Sequence, residues 1–336
     1  WEVCLVLTVR RIAVLVLTCA ILALLCFASL AIGSSHIPLA NVWHLLLHPD
    51  GSGESYNVNG LRLQRTVVGV LVGVALAVAG AVMQVITRNP MADPGLLGVN
   101  SGASLAIVVG ACLGSADSAH MQFLLAAVGA AGAATLVYFV GGASHVGGAS
   151  PVRLVLAGAA FSAASGGVVS ALLLLREDAF QTFRYWDVGA LTRNDVNLWW
   201  FAVPLAAGLV IIFATIPQLS NMALGDDVAA ALGTDVVRTR GLALVGLTLL
   251  CAAATAIAGP ISFVGLMVPL WAGWLMGSHL AWTISLCLVF GPCLMLTADI
   301  LGRVIARPSE IPVGVLTAFV GAPFLFFMAT RMKTRS

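Results

Sequence analysis

The chain has 336 residues, of which 60% are hydrophobic and 9% carry a charge, and its formal net charge is +2. An ordinary soluble domain is about 25% charged, so this composition excludes one and indicates a single bundle of membrane helices over residues 1–336. The small net charge gives no support to nucleic-acid binding. The seven cysteines lie singly in apolar segments without a CxxC pair, which predicts buried thiols rather than a metal site.

Uncharged apolar runs predict ten membrane spans. In chain order they cover residues 12–33, 66–86, 96–114, 120–141, 154–175, 198–216, 241–258, 261–277, 280–298 and 312–330. The first run has the basic flank of a signal peptide, but no small-residue cleavage site follows it, so we predict that it is retained. Ten is even, and basic residues at both ends predict cytoplasmic termini by the positive-inside rule. The predicted fold class is an all-α, multi-pass protein of the cytoplasmic membrane.

Several arginines fall on the outer side of this topology, against the positive-inside bias. They are Arg62, Arg65, Arg176, Arg184, Arg193, Arg303 and Arg307. Acidic residues of the same loop offset some of them, whereas Arg62 and Arg65 have no close acidic neighbour in the sequence beyond Glu54. Two interpretations stay open, namely a docking site for an acidic partner and contact with lipid headgroups at a span end.

The stretch 220–240 is the longest predicted cytoplasmic loop, and its apolar residues recur at helical spacing. Gly225 and Gly233 bound a short helix, whose acidic first residues suit a helix N-terminus. A second short helix is predicted to begin at Thr234 or Asp235. Two short helices beneath the bilayer would form a projecting knob to which another subunit could bind. The alternative is a plain loop between two spans.

The stretch from Gly241 to Ala298 contains 58 residues without one Asp, Glu, Lys or Arg. As a single helix it would be about 87 Å long, nearly three times the thickness of a hydrocarbon core of about 30 Å. It must therefore fold back within the bilayer. Breaks are predicted at Gly259-Pro260 and near Gly277-Ser278, which divides the stretch into three spans.

The predicted span interiors contain essentially no ionisable residue at the midplane, where coupling ions bind. Asp299 lies at a span end, and an i,i+4 ion pair with Arg303 accounts for it. The sequence has no GxxxxGK[ST] motif, so the chain binds no nucleotide through a P-loop. These features favour a transport pathway driven by an external motor. An ion-coupled secondary transporter acting alone and a structural membrane scaffold are the alternatives from other classes.

A series of motifs follows in order from about Arg62 onward. They read Arg62-Leu-Gln-Arg65, Gly80-Ala-Val-Met-Gln84, Thr87-Arg-Asn-Pro-Met-Ala-Asp-Pro-Gly-Leu-Leu-Gly98, Ser101-Gly-Ala103, Leu224-Gly, Ala231-Leu-Gly233, Ala258-Gly-Pro-Ile-Ser-Phe-Val-Gly-Leu-Met-Val-Pro269, Ala298-Asp-Ile-Leu-Gly-Arg303, Glu310-Ile-Pro-Val-Gly-Val315 and Gly321-Ala-Pro323. Together they resemble the permease family of ABC importers for iron–siderophores, haem and vitamin B12. The block that begins at Arg88 is highly specific.

The resemblance implies a type II importer permease fold, with ten helices per chain and a translocation path along a dimer axis. It implies two cytoplasmic ATPase subunits, which bind the ATP and Mg²⁺, and an extracytoplasmic substrate-binding protein. No catalytic residue and no cofactor is implied for this chain. The implied substrate is a bulky iron chelate, an Fe(III)-siderophore by family frequency, with haem and vitamin B12 as alternatives. A homodimer and a heterodimer with a second permease both stay open.

The resemblance also implies roles for individual residues. Docking of the binding protein is implied for Arg62, Arg65 and Arg303. A cytoplasmic gate is implied for Asn89, Met91, Ser150 and Pro151. Contact with the ATPase is implied for Leu224, Gly225, Ala231, Leu232 and Gly233. One departure concerns the segment after Val268-Pro269, where the family commonly has His and Arg and this chain has Leu270 and Gly273; any ATPase or lipid contact made there is in doubt.

Overall fold

The computed structural model describes residues 2–33, 38–116, 118–143, 151–192, 197–277, 279–307 and 309–333. Within these ranges every regular element is helical and no strand occurs, which confirms the all-α class. The helices are α1 (Glu2–Ala31), α2 (Leu39–Leu47), α3 (Gly53–Ser55), α4 (Leu63–Thr87), α5 (Val99–Cys112), α6 (Ala119–Tyr138), α7 (Pro151–Leu175), α8 (Glu177–Asp187), α9 (Leu198–Met222), α10 (Asp226–Ala231), α11 (Val236–Ala258), α12 (Val264–Met276), α13 (Leu280–Ile305) and α14 (Val313–Lys333).

Each predicted span coincides with one of these helices, but not all of the helices have membrane length. The π-helical residues Tyr56–Arg62 join α3 to α4, and the π-helical residues Phe139–Ala143 extend α6. Counted with these extensions, seven continuous helices among the described residues are long and apolar enough to cross a membrane: Val6–Ala31, Gly53–Thr87, Ala119–Gly141, Pro151–Leu175, Leu198–Met222, Val236–Ala258 and Leu280–Ile305. The apolar helices Val99–Cys112, Val264–Met276 and Val313–Phe327 are shorter. A helix of about 14 residues extends only about 21 Å, so the count of ten spanning helices stays a prediction.

The long uncharged stretch breaks where the sequence predicts. Helix α11 ends at Ala258 and is followed by Gly259, which has φ 77°, and α12 begins after Phe263, which has φ 70°. The intervening backbone is irregular, with Gly259 and Ile261 buried and Ser262 exposed. Gly277, with φ 77°, separates α12 from α13. The stretch therefore yields three helices, although α12 is shorter than the predicted span 261–277.

Helix α4 lies at the centre of the bundle. In the apolar window of Gly53–Thr87, 78% of the residues are buried, and in Val236–Ala258 the share is 72%. The shares for Val6–Ala31 and Pro151–Leu175 are only 11% and 17%, so α1 and α7 are peripheral. Most of their apolar side chains are exposed in the single chain, and in a membrane such side chains contact lipid or another subunit.

Glycines on α4 allow two neighbouring helices to approach its backbone closely. A Cβ added to Gly73 would lie 2.6 Å from the backbone nitrogen of Pro292 on α13. A Cβ added to Gly80 would lie 1.8 Å from the carbonyl oxygen of Gly265 on α12. Small residues are the usual means of such approach in membranes, where apolar burial does not drive helix association.

We expect Gly80→Ala to destabilise the protein by about 1–3 kcal/mol or more, because the new methyl group meets backbone atoms that no side-chain rotation can move. The matched control is Gly132→Ala on α6, where an added Cβ has nothing within 4 Å. Its effect should stay within about 0.5 kcal/mol. Thermal unfolding of both variants in detergent measures the difference. Equal unfolding temperatures would show that α4 and α12 are less closely packed than described.

Candidate functional site

A group of charged residues joins α1, α4 and α13 at one end of the bundle. We call Arg62, Arg65, Asp299, Arg303 and Glu310 the outer cluster. On α4, Arg65 donates from Nε and Nη2 to Asp299 Oδ1 at 2.8 and 2.7 Å. It also donates to Glu310, which precedes α14. On α13, Arg303 donates from Nε to Asp299 Oδ2 at 3.0 Å, so the fully buried Asp299 carboxylate is held by two guanidinium groups.

The same arginines cap the C-terminal end of α1. Arg62 Nη1 lies 3.0 Å from the carbonyl oxygens of both Leu30 and Ala31. Arg303 Nη1 lies 2.8 Å from the carbonyl oxygen of Ser29. The last carbonyl groups of a helix have no partner within the helix, and cations at that end also interact favourably with the helix dipole. The outer arginines therefore have a role in the fold, which sequence reasoning did not foresee.

The three arginines assigned to docking are buried within the chain. Arg62, Arg65 and Arg303 are 3%, 8% and 1% exposed. The pair between Asp299 and Arg303 is confirmed. The bond from Arg65 to Asp299 was missed, because it joins residues 234 positions apart. Docking through these arginines stays a prediction, but it cannot be a set of solvent-exposed ion pairs in the chain as described.

A cavity of about 220 Å³ opens beside the outer cluster. It is lined by Gly33, Asn57, Leu61, Arg62, Arg65, Thr192, Arg303 and Glu310. The cluster contains three guanidinium groups and two carboxylates, so its formal charge is positive. Guanidinium groups bind carboxylates through paired hydrogen bonds, and the cavity is therefore chemically suited to an acidic side chain.

The predicted gate residues occupy a turn at the opposite end of α4. Helix α4 ends at Thr87, and the Oδ1 atom of Asn89 accepts a hydrogen bond from the backbone N–H of Met91 at 2.9 Å. Asn89 is exposed and Met91 is half-buried. Pro151 begins α7 and is also half-buried. Ser150 lies outside the described residues.

Helix α7 packs against the segment that follows this turn. A Cβ added to Gly158 on α7 would lie 1.7 Å from the carbonyl oxygen of Leu96, which belongs to the 3₁₀ turn Pro94–Leu97. The two segments that the resemblance assigns to the gate are therefore linked through their neighbours. Their function as a gate stays a prediction.

The predicted cytoplasmic knob contains one short helix, α10, and not two. Gly225, with φ 123°, precedes α10, and Gly233, with φ 81°, follows it. The predicted second helix is absent, because Asp235 caps the long helix α11 by accepting a hydrogen bond from the backbone N–H of Arg238 at 3.0 Å. The helices α9 and α11 also enter the predicted loop, which shortens it to residues 223–235.

Apolar side chains project from this short segment. Leu224 is 66% exposed and Leu232 is 58% exposed. Ala231 and Gly233 are exposed as well, while Gly225 is half-buried. Contact of these residues with an ATPase stays a prediction.

Two basic residues of α1 bind the C-terminal end of α12, a few residues after the position where the sequence departs from the family pattern. Arg11 Nε donates to the carbonyl oxygen of Met276 at 2.9 Å, and Arg10 donates to that of Leu275 at 3.3 Å. Both carbonyl groups belong to the last turn of α12. Arg10 and Arg11 therefore place two cations at the C-terminal end of α12.

The all-helical fold and the apolar helices of membrane length define a multi-pass membrane protein. The family model of the FecCD transport family matches residues 21–331. The chain therefore belongs to the FecCD transport family.

Two curated relatives and one solved structure show the extent of this similarity. The chain is 46% identical over 310 residues to the ferric enterobactin transport system permease protein FepD of Escherichia coli (strain K12), covering 91% of each chain. It is 37% identical to the Fe(3+)-citrate import system permease protein YfmD of Bacillus subtilis (strain 168), covering 90% of each. An inward-facing metal-chelate type ABC transporter superposes with a TM-score of 0.82 at 26% identity, covering 95% of this chain and 99% of that one.

Proposed function

We propose that this chain is the membrane-spanning subunit of an ATP-driven importer that carries a ferric siderophore across the cytoplasmic membrane. The main support for this proposal is the 46% identity, over 91% of both chains, to a ferric enterobactin permease. The similarity of the fold to a metal-chelate type ABC transporter over 95% of this chain supports the same class. The chain itself catalyses no reaction in this proposal, because ATP is hydrolysed by a partner.

The proposed assembly contains a second permease subunit, two cytoplasmic ATPase subunits and an extracytoplasmic binding protein, with both termini of this chain in the cytoplasm. The exposed Leu224 and Leu232, which flank α10, support contact between this segment and the ATPase, since exposed apolar side chains suit burial in a partner. Asn89, Met91 and Pro151, together with Ser150, are proposed to narrow the cytoplasmic end of the path.

Docking of the binding protein is proposed to use the cavity beside the outer cluster. An acidic side chain of the binding protein would enter it and meet Arg62 and Arg65, while Arg303 acts mainly by holding Asp299. The support for this proposal is the excess of guanidinium groups around a cavity of about 220 Å³. The binding protein, rather than this chain, would select the chelate.

We expect cells that depend on this chain, with its ATPase and binding protein, to accumulate iron from ferric enterobactin. Uptake of radiolabelled iron is the measurement, with cells lacking this chain as the control. Inactivating the ATPase should abolish uptake, whereas collapsing the proton gradient while ATP is maintained should not. Uptake that follows the proton gradient and ignores the ATPase would support the ion-coupled alternative. Uptake of haem or vitamin B12 alone would overturn the siderophore assignment.

A further inference from the structure

One arginine connects the turn Asn89–Met91 to the cytoplasmic helix α10. Arg88 follows the last residue of α4 and has left-handed backbone geometry, with φ 48° and ψ 32°. Residues with a Cβ seldom adopt this geometry, because the Cβ crowds a carbonyl oxygen. The Arg88 side chain reaches a segment more than 130 positions later, where Nε donates to the carbonyl oxygen of Met222 at 3.3 Å and Nη2 donates to the Asp226 carboxylate.

Asp226, the first residue of α10, also binds a second arginine. The Nη2 atom of Arg240 lies 3.0 Å from each carboxylate oxygen of Asp226. Arg240 belongs to α11, and only 3% of its side chain is exposed, against 40% for Asp226 and 40% for Arg88. The Asp226 carboxylate is thus fixed to the buried face of α11 and also bound, at a more exposed position, to the residue that begins the turn.

We propose that Arg88 is a positioning residue that transmits the movement of α10 to the turn Asn89–Met91. This inference rests on the functions proposed above for α10 and for the turn. A single peptide bond separates Arg88 from Asn89, so a shift of its guanidinium with Asp226 acts directly on the turn. Partly exposed ion pairs contribute little to stability. Loss of this bond should therefore affect transmission far more than folding.

The test uses the complete transporter complex, with Met91→Cys as the reporter position. Arg88→Gly removes the side chain, yet glycine suits the positive φ, and the backbone N–H that donates to the carbonyl oxygens of Gln84 and Val85 remains. The turn should therefore keep its form. We expect the difference in thiol labelling between nucleotide-free and ATP-bound complex to fall about tenfold, a usual size for coupling between sites. Uptake should fall with it.

Two further variants show whether a loss belongs to the bond between Arg88 and Asp226. Arg88→Lys keeps a cation at the position and should retain most of the nucleotide-dependent labelling. Asp227→Asn is the matched control, since it removes an exposed carboxylate one residue further along α10. Its nucleotide-dependent difference in labelling should equal that of the chain with Met91→Cys alone. An equal loss in Asp227→Asn would overturn the inference, because it would indicate a general effect of charge.

Unchanged nucleotide-dependent labelling in Arg88→Gly would also overturn it. If Arg88→Gly does not assemble, Arg88→Gln, which keeps a long polar side chain without the charge, is judged by the same criterion. Leu232→Asp separates this inference from the proposed function on which it rests. Normal uptake in Leu232→Asp would contradict the proposed role of α10. If Leu232→Asp loses uptake but Arg88→Gly keeps its nucleotide-dependent labelling, only the transmission through Arg88 is contradicted.

Discussion

Leu232→Asp is expected to abolish most substrate uptake while the chain still inserts into the membrane and its ATPase partner still hydrolyses ATP. Leu232 directly follows α10 and is 58% exposed, so a charge there meets water in the free chain and leaves the fold intact. In the complex the same carboxylate would be buried against the ATPase. Loss of a central apolar anchor weakens an interface by about 2 kcal/mol or more, which is about thirtyfold.

Leu232→Met is the matched control for this experiment, because it keeps an apolar side chain of similar volume. Uptake and ATP hydrolysis are measured on the same membranes for both variants. We expect near-normal uptake with Leu232→Met and hydrolysis without uptake in Leu232→Asp. Normal uptake in Leu232→Asp would show that the exposed face of α10 contacts solvent or lipid headgroups and not a motor.

Features of the fold that depend on neighbours in the sequence could be predicted. The break at Gly259-Pro260 follows from residues that end a helix wherever they occur, and the structure confirms it. Gly225 and Gly233 bound α10 for the same local reason. The length of α12 could not be predicted, because the position of Phe263 at its start depends on packing with distant residues rather than on composition.

One local signal had two interpretations, and the sequence did not choose between them. Asp235 is a good N-cap residue, and a cap indicates that a helix begins without indicating how long it is. We predicted a second short helix there, whereas the structure shows that Asp235 caps α11, which continues to Ala258. A segment of only four residues, 232–235, therefore separates α10 from a long apolar helix.

The candidate site was predictable only in part, because its central contacts join distant positions. Asp299 and Arg303 lie one helical turn apart, so their pairing could be read from the sequence. Arg65 and Glu310 also bind within this cluster, but a single sequence does not show which helices meet. The predicted topology places an arginine on the outer side, but it does not show whether the arginine is buried.

Asp299→Asn is expected to destabilise the protein by about 3–5 kcal/mol, because it leaves two buried guanidinium groups without their shared carboxylate. The side chains of Asp299 and Arg303 are 1% and 2% exposed, whereas that of Glu310 is 30% exposed. Glu310→Gln is therefore the matched control, with an expected loss of at most about 1 kcal/mol. Thermal unfolding in detergent and the yield of folded protein are the measurements. Equal effects of the two changes would contradict the central position of Asp299.

An apolar replacement of the buried charges separates their contribution to the fold from the proposed docking. The triple change Arg65→Met, Asp299→Leu and Arg303→Met removes both partners of the two ion pairs that Asp299 makes, and it takes Arg65 away from the partly exposed Glu310. Such replacements are often neutral or stabilising by about 1–4 kcal/mol, so this variant should be more stable than Asp299→Asn. Because the cavity then retains only Arg62 of the outer arginines, affinity for the binding protein should fall. Binding of wild-type strength by the folded triple variant would show that Arg65 and Arg303 serve the fold alone.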